Sequence, residues 1–334
     1  MANDTYQQPP PSSMQRLLRL LGTERKDISY VYLYALVTGL ISLSLPLGIQ
    51  AVFNLVSGGL VFSSVYVLIG LVALGVLATG LLMVGQMTLV EILQQRIFAK
   101  AAFEFTYRLP RIEPRALSAY YPPELMNRFF EVQTLQKGLP KLLIDLTAAA
   151  VQILFGIILL SFYHPVFLGF GLFTLLGIVG ISWIYGPPGL RTSLSESKCK
   201  YKVVSWLEDI ARELPTYRER NDTMDPIDRM DDLVASYLAY RNAHFRVLKR
   251  FFYSAVAFKT LVTGGLLIVG TALVVDRQMT LGQFVAAELV IVLITGSVEK
   301  LISGIDTVFD LLTAVEKIAN VTDLPLEADT PTHA

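Results

Sequence analysis

Long apolar runs alternate with long polar ones along this chain, and the alternation is regular enough to predict most of its helices. The first 27 residues are polar, with prolines at Pro9, Pro10 and Pro11. Six apolar runs follow: Ile28–Val52, Val61–Leu89, Leu142–Tyr163, Val166–Tyr185, Phe251–Val275 and Leu281–Ile305. A helix needs about 20 apolar residues to cross a bilayer, so each run predicts one membrane-spanning helix. The third and fourth are divided only by His164-Pro165, where proline stops a helix. Pro46 and Gly48 lie inside the first run and predict a kink. The polar stretches 90–140 and 186–250 contain few glycines and keep helical periodicity, with breaks at Pro110–Pro123 and Pro215–Pro226. Each predicts a helical hairpin that carries a pair of spans onward into water. From the second span to the first break is about 20 residues, or roughly 30 Å of helix. Leu125–Gly138 forms the return leg; in the second hairpin Arg191–Leu214 descends and Asp228–Arg250 climbs back. The fold class is therefore an all-α membrane protein of six transmembrane helices with two long helical hairpins. Such arms are either solvated stalks or levers that dock on a partner, and two paired rods reaching so far favour the lever.

Composition supports a lipid environment. Of 334 residues, 53% are hydrophobic and 17% charged, and the mean hydropathy is +0.52; soluble chains carry roughly 25% charge. Lys plus Arg and Asp plus Glu are both 28, so the chain lacks the basic excess of a nucleic-acid binder. Cys199 is the only cysteine, and His164, His244 and His333 show no ligand spacing, which excludes a disulfide framework and gives no metal site. No apolar segment follows a short basic start, so no signal peptide is expected.

The distribution of Lys and Arg orients the spans. Four precede the first span, eight lie between the second and third, and twelve between the fourth and fifth, whereas the three short connections hold only Arg277. Positive charge stays inside. Both termini and both hairpins are thus expected in the cytoplasm, in a multi-pass inner (plasma) membrane protein. The expected organisation is a polar cytoplasmic tail, 1–27; a transmembrane domain, 28–318, including hairpins 90–140 and 186–250; and a cytoplasmic tail, 319–334.

Ionisable groups inside a membrane are costly and point to function. Lys259 and Glu299 stand at nearly equal depth, about 26 Å from the turn joining the last two spans. They are read as an ion pair, with snorkelling of Lys259 or substrate contact as alternatives. Glu288, in the outer leaflet, is a substrate-path or proton-sensitive candidate, or a carboxylate hydrogen-bonded to Gln or Ser. For contact with a partner, the first elbow offers Tyr121, Pro122, Glu124, Leu125 and Arg128, and the second Tyr201, Val204, Trp206, Leu207 and Glu208. Trp206 either anchors a partner, as Trp does at interfaces, or packs against the neighbouring arm.

Several segments, in order, resemble the membrane domain of ABC exporters. Pro123-Glu124-Leu125-Met126-Asn127-Arg128, then Glu131, is similar to the family's Gly-Glu-Leu-x-x-Arg…Asp coupling segment, with Pro for Gly and Glu for Asp. Leu207–Arg218 resembles the second coupling region, without its glycine. Met279–Ala286 is similar to the approach to the sixth span, and Ala314–Ile318 with Leu324–Glu327 to the exit toward a nucleotide-binding domain. Leu43–Gln50 resembles the branch that exports peptides, bacteriocins and proteins. The likeness covers about residues 14–327.

No G-x-x-x-x-G-K-[ST] phosphate loop occurs in the 334 residues. The resemblance therefore implies a permease subunit, not itself an enzyme and with no cofactor of its own. It would be powered by a separate ABC ATPase that holds ATP and Mg. It also implies a homodimer or a pairing with a paralogous half-transporter, and a periplasmic membrane-fusion adaptor as a further partner. The alternatives are a non-transporting membrane scaffold or regulator with the exporter fold, and an ion-driven secondary transporter.

Overall fold

The structure is a computed structural model that describes residues 11–59, 63–117, 122–219 and 225–327. Among the described residues six helices are long and apolar enough to cross a membrane. The chain opens with α1 (Ser13–Gly22), α2 (Arg25–Ser42), α3 (Ser44–Ser57) and α4 (Ser63–Arg108). The short helices α5 (Pro114–Leu117) and α6 (Pro122–Asn127) follow, then α7 (Glu131–Pro140) and, after a π-helical turn at Lys141–Leu146, α8 (Thr147–Tyr163). The rest is α9 (Val166–Arg212), α10 (Leu214–Glu219), α11 (Asp225–Val275) and α12 (Leu281–Thr322).

The first span breaks where the sequence places its proline. α2 ends at Ser42, two residues before α3 begins, and Leu43 N–H turns back to Leu40 and Ile41 carbonyls. Pro46 has no N–H to return to Ser42, so the ladder cannot run through. Gly48 meets α4 so closely that a methyl there would collide with Val72. By contrast, α9 stays helical through Pro187 and Pro188. The two missing N–H groups are tolerated where Gly189 lets the ring of Phe309 press on the helix.

Helix lengths separate arm from span. α4, α9, α11 and α12 contain 46, 47, 51 and 42 residues, so at 1.5 Å each the first three run about 70–77 Å. A hydrocarbon core of about 30 Å leaves roughly 40 Å of each beyond the membrane. α9 and α11 pair along the arm through Arg241–Glu196 (2.9 Å) and Thr192–His244 (2.8 Å). The tight turns at the other end are built locally. At the His164-Pro165 corner, His164 is extended and its Nδ1 accepts from Val166 N–H. Arg277 takes a positive φ of 57° before Thr280 caps α12 with Gln283.

The arms are not bare stalks. Separate apolar cores lie under the membrane-level core. One joins Ile28, Val31, Leu93, Ile97, Val132 and Leu139; another joins Leu17, Leu135, Leu311 and Val315. α12 reaches down through them, and α1 lies across it. Within the region read as a polar tail, leucines 17, 20 and 21 recur at helical spacing, and that suffices to dock α1. Its Arg16 bonds Asp323 at 2.5 Å and its Ser13 donates to Glu316 at 3.0 Å. Beyond α12, Leu326 bridges Ile112, with Glu113 N–H to the Pro325 carbonyl (3.0 Å) and Glu327 N–H to the Arg111 carbonyl (2.8 Å). The exit of the last helix is thus stitched to the first elbow.

Candidate functional site

Two places in this architecture gather the candidate side chains: the elbows and the α11–α12 face at membrane depth. At the first elbow, Tyr121 lies outside the described residues, and of Pro122 and Glu124 only the backbone in α6 is described. Leu125 is core, buried with Phe105, Ile112 and Val321. Arg128 is 7% exposed, and its Cζ lies over the ring of Tyr201, 3.7 Å from the centroid. The Tyr201 hydroxyl donates to Glu131 Oε1 at 2.5 Å, and Lys200 approaches the same oxygen at 3.4 Å. From α12 the ammonium of Lys317, itself buried, sits 5.1 Å from the Tyr201 ring. Asn127 donates to Glu208 Oε1, while Glu208 Oε2 is buried with no hydrogen bond among the described residues. One tyrosine therefore ties together the first hairpin, the second hairpin and the last helix.

Electrostatics explains why this hub holds. The buried Glu131 carboxylate needs donors, and Tyr201 and Lys200 supply them; charge-assisted bonds contribute about 1.5–3 kcal/mol each. Burial, and then the bond to Glu131, pushes the Tyr201 phenol well above its usual range. It remains a proton donor at any physiological pH. The cation–π contact from Arg128 adds about 1–2 kcal/mol when desolvated.

Trp206 serves the second elbow from within. Its indole N–H donates to the Pro226 carbonyl (3.2 Å), Tyr217 meets its ring edge-on, and Arg229 stacks at 4.3 Å. Of the two readings the sequence allowed, this geometry matches packing against the neighbouring arm. Val204 is half-buried. Leu207 of α9 is 52% exposed, and Leu214 of α10 and Ile227 of α11 are exposed on the other limbs of the same elbow, as are Met126 and Phe130 at the first elbow. Large apolar side chains thus face outward at both elbows.

Just above the hub, a polar cavity of about 150 Å³ opens between α7, α9 and α12, lined by Glu131, Glu196, Ser197, Lys200 and Asp310 among others. Crowding by protein atoms, reinforced by the Asp306 carboxylate, pushes Asp310 from 3.8 up to about 6. The folded chain holds this proton more tightly than the unfolded one. The associated stability is fully present below pH 3.8 and is lost as pH rises through about 6. Asp310→Asn, neutral at every pH, is expected to flatten that part of the profile; thermal unfolding between pH 4 and 7 checks it.

At membrane depth Lys259 Nζ donates to Glu299 Oε2 at 2.7 Å, within one chain. The side chains are 35% and 65% exposed, and Thr263 and Thr295 touch at 3.3 Å beside them. Glu288 is also exposed. It precedes Glu299 by 11 residues, which is about three turns, so both carboxylates share one face of α12. Ionisable side chains in membranes face protein or water-filled space rather than lipid. This face therefore belongs against a polar space or another protein surface. Lys259→Ala is expected to lower the thermal midpoint more than the exchange Lys259→Glu/Glu299→Lys, which preserves the pair. Equal losses would contradict a direct interaction.

The family described as the ABC transporter transmembrane region matches residues 28–211. The chain belongs to that family. It is a multi-pass membrane protein with the fold of an ABC exporter transmembrane domain. Among solved structures it is similar to that of a bacterial Atm1-family ABC exporter with ATP bound, with a TM-score of 0.76 at 16% identity. The likeness covers 92% of this chain and 55% of the other, so the chain spans about half the length of that exporter. No curated protein matches it.

In this transmembrane region the family-like segments of the sequence land on the hub. Arg128 and Glu131 come from the first coupling segment, Glu208 from the second and Lys317 from the exit segment. The sequence points to Arg128, Tyr201 and Glu208 but not to Asn127, Glu131 or Lys317 as site residues. The last three lie inside the family-like segments; what brings them together is tertiary.

Proposed function

We propose that this chain is the membrane-spanning permease subunit of an ABC exporter. It works as a dimer, is driven by a separately encoded ATPase, and moves a peptide, protein or hydrophobic substrate outward across the inner membrane. ATP and magnesium belong to the ATPase. The hairpins and both termini face the cytoplasm, in keeping with the Lys and Arg bias, and the ATPase docks on the elbows. One observation supports this reading: outward-facing apolar side chains at the elbows, about 18–36 Å of helix beyond the ends of the spans, sit on hairpins tied to each other and to α12 by the Tyr201 hub. Exposed apolar groups so far from lipid call for a protein partner. The hub makes the arms move as one body when the ATPase closes. The face carrying Glu288 and the Lys259–Glu299 pair then lines the space between two copies, where substrate passes.

The test is copurification of tagged chain from native membranes. An ABC ATPase in stoichiometric amount, with ATP turnover that disappears when the chain is removed, is the expected result. A membrane scaffold without an ATPase partner would copurify with none.

A further inference from the structure

A second surface, independent of transport, lies where α1 meets the start of α2. Leu17 of α1 points into the arm core, but Met14 and Leu18 are exposed. Beside Leu18 runs an apolar groove of about 510 Å³, lined also by Leu21, Arg25, Tyr32, Leu33 and Leu36. Tyr30 and Tyr32 are exposed at the depth where aromatic belts mark a membrane interface. Leu33 and Leu36 belong to the apolar run of the first span, and Arg25 and Lys26 precede them by about two to three turns, on the headgroup side of that run.

Charge is segregated around this turn. Glu24 and Asp27 point toward α4, where Arg96 reaches Asp27 at 2.5 Å and Glu24 at 3.1 Å, and Lys100 also binds Glu24. The bond from Lys100 holds Glu24 below the usual carboxylate range, so it stays committed to α4. Arg25 and Lys26 are exposed and, among the described residues, neither has a carboxylate within ion-pair distance. Of these two uncompensated cations, Arg25 lines the apolar groove and Lys26 is its neighbour in sequence.

We propose that this groove holds an anionic phospholipid, its phosphate against Arg25 and Lys26 and an acyl chain along Leu33 and Leu36. A zwitterionic lipid would fill the groove and bring no net charge to the cations. A free phosphate would meet the cations and leave the groove empty. Only an anionic lipid satisfies both.

The test is native mass spectrometry of the full-length chain in detergent, titrated with phosphatidylglycerol or with phosphatidylcholine of the same acyl chains. Phosphatidylglycerol is expected to be retained about 30-fold better, as two near-surface cations imply. Arg25→Ala/Lys26→Ala abolishes the preference and Arg25→Lys keeps it. Leu33→Trp, which fills the groove and spares the charges, reduces retention of both lipids. Glycerol 3-phosphate does not compete. Equal retention of the two lipids, an unchanged preference in the double variant, or competition by glycerol 3-phosphate would each overturn the assignment.

Discussion

Glu131→Ala is expected to cost about 3–5 kcal/mol, the range for removing one partner from a buried charged network. The carboxylate is the acceptor for Tyr201 and the nearest anion to Lys200. Its loss leaves a buried hydroxyl without an acceptor and leaves Arg128 and Lys317, both buried, with less negative charge around them. Tyr201→Phe keeps the ring under Arg128 and removes only the hydroxyl, so its cost is smaller, about 1–3 kcal/mol. Glu131→Gln still accepts a bond and falls between them. Thermal unfolding in detergent gives the order. Under the proposed function the readout differs from a simple loss of fold: a destabilised hub would let the hairpins move separately, so ATP turnover in the assembled complex is expected to persist while transport falls. Transport and turnover falling in parallel in Tyr201→Phe would argue against a coupling role.

Leu207→Asp combined with Ile227→Asp is expected to weaken ATPase docking about 100-fold or more. Apolar anchors at the centre of an interface contribute on the order of 1–2 kcal/mol each, and a buried carboxylate adds its desolvation. Both side chains are exposed in the free chain, so insertion and thermal midpoint stay near those of the wild type. Trp206→Ala behaves in the opposite way. Its bonds to Pro226, Tyr217 and Arg229 are internal, so the substitution loosens the second elbow first and affects docking through it. Affinity measured with purified ATPase, beside unfolding curves of the same variants, distinguishes the two.

How much of this was legible in the sequence follows from the range of the forces involved. The spans could be read because lipid demands an uninterrupted apolar run, and Leu281–Ile305 cannot hide such a requirement. The break before Pro46 and the ends of α4 and α9 could be read because proline acts on its own neighbours. α1 was harder: its stripe of Leu17, Leu20 and Leu21 is short and surrounded by arginines, and what it covers is α12, some 300 residues away. The hub lay further out of reach. Arg128, Tyr201 and Lys317 share one contact zone only after three helices have packed, and no local spacing encodes that. Trp206 shows the same limit, since sequence reveals the cost of exposing an indole but not whether the neighbouring arm already covers it.

The elbows, as proposed, are contacts for an ATPase on the cytoplasmic side. Cys199 is the only cysteine and is buried, so Leu207→Cys in a Cys199→Ser background presents a single accessible thiol. In right-side-out and inverted vesicles from the native host, this thiol should react with an impermeant maleimide only in the inverted ones, and a short thiol cross-linker should join it to an ABC ATPase. Labelling from the outer face, or full accessibility with no ATPase cross-linked, would contradict the account.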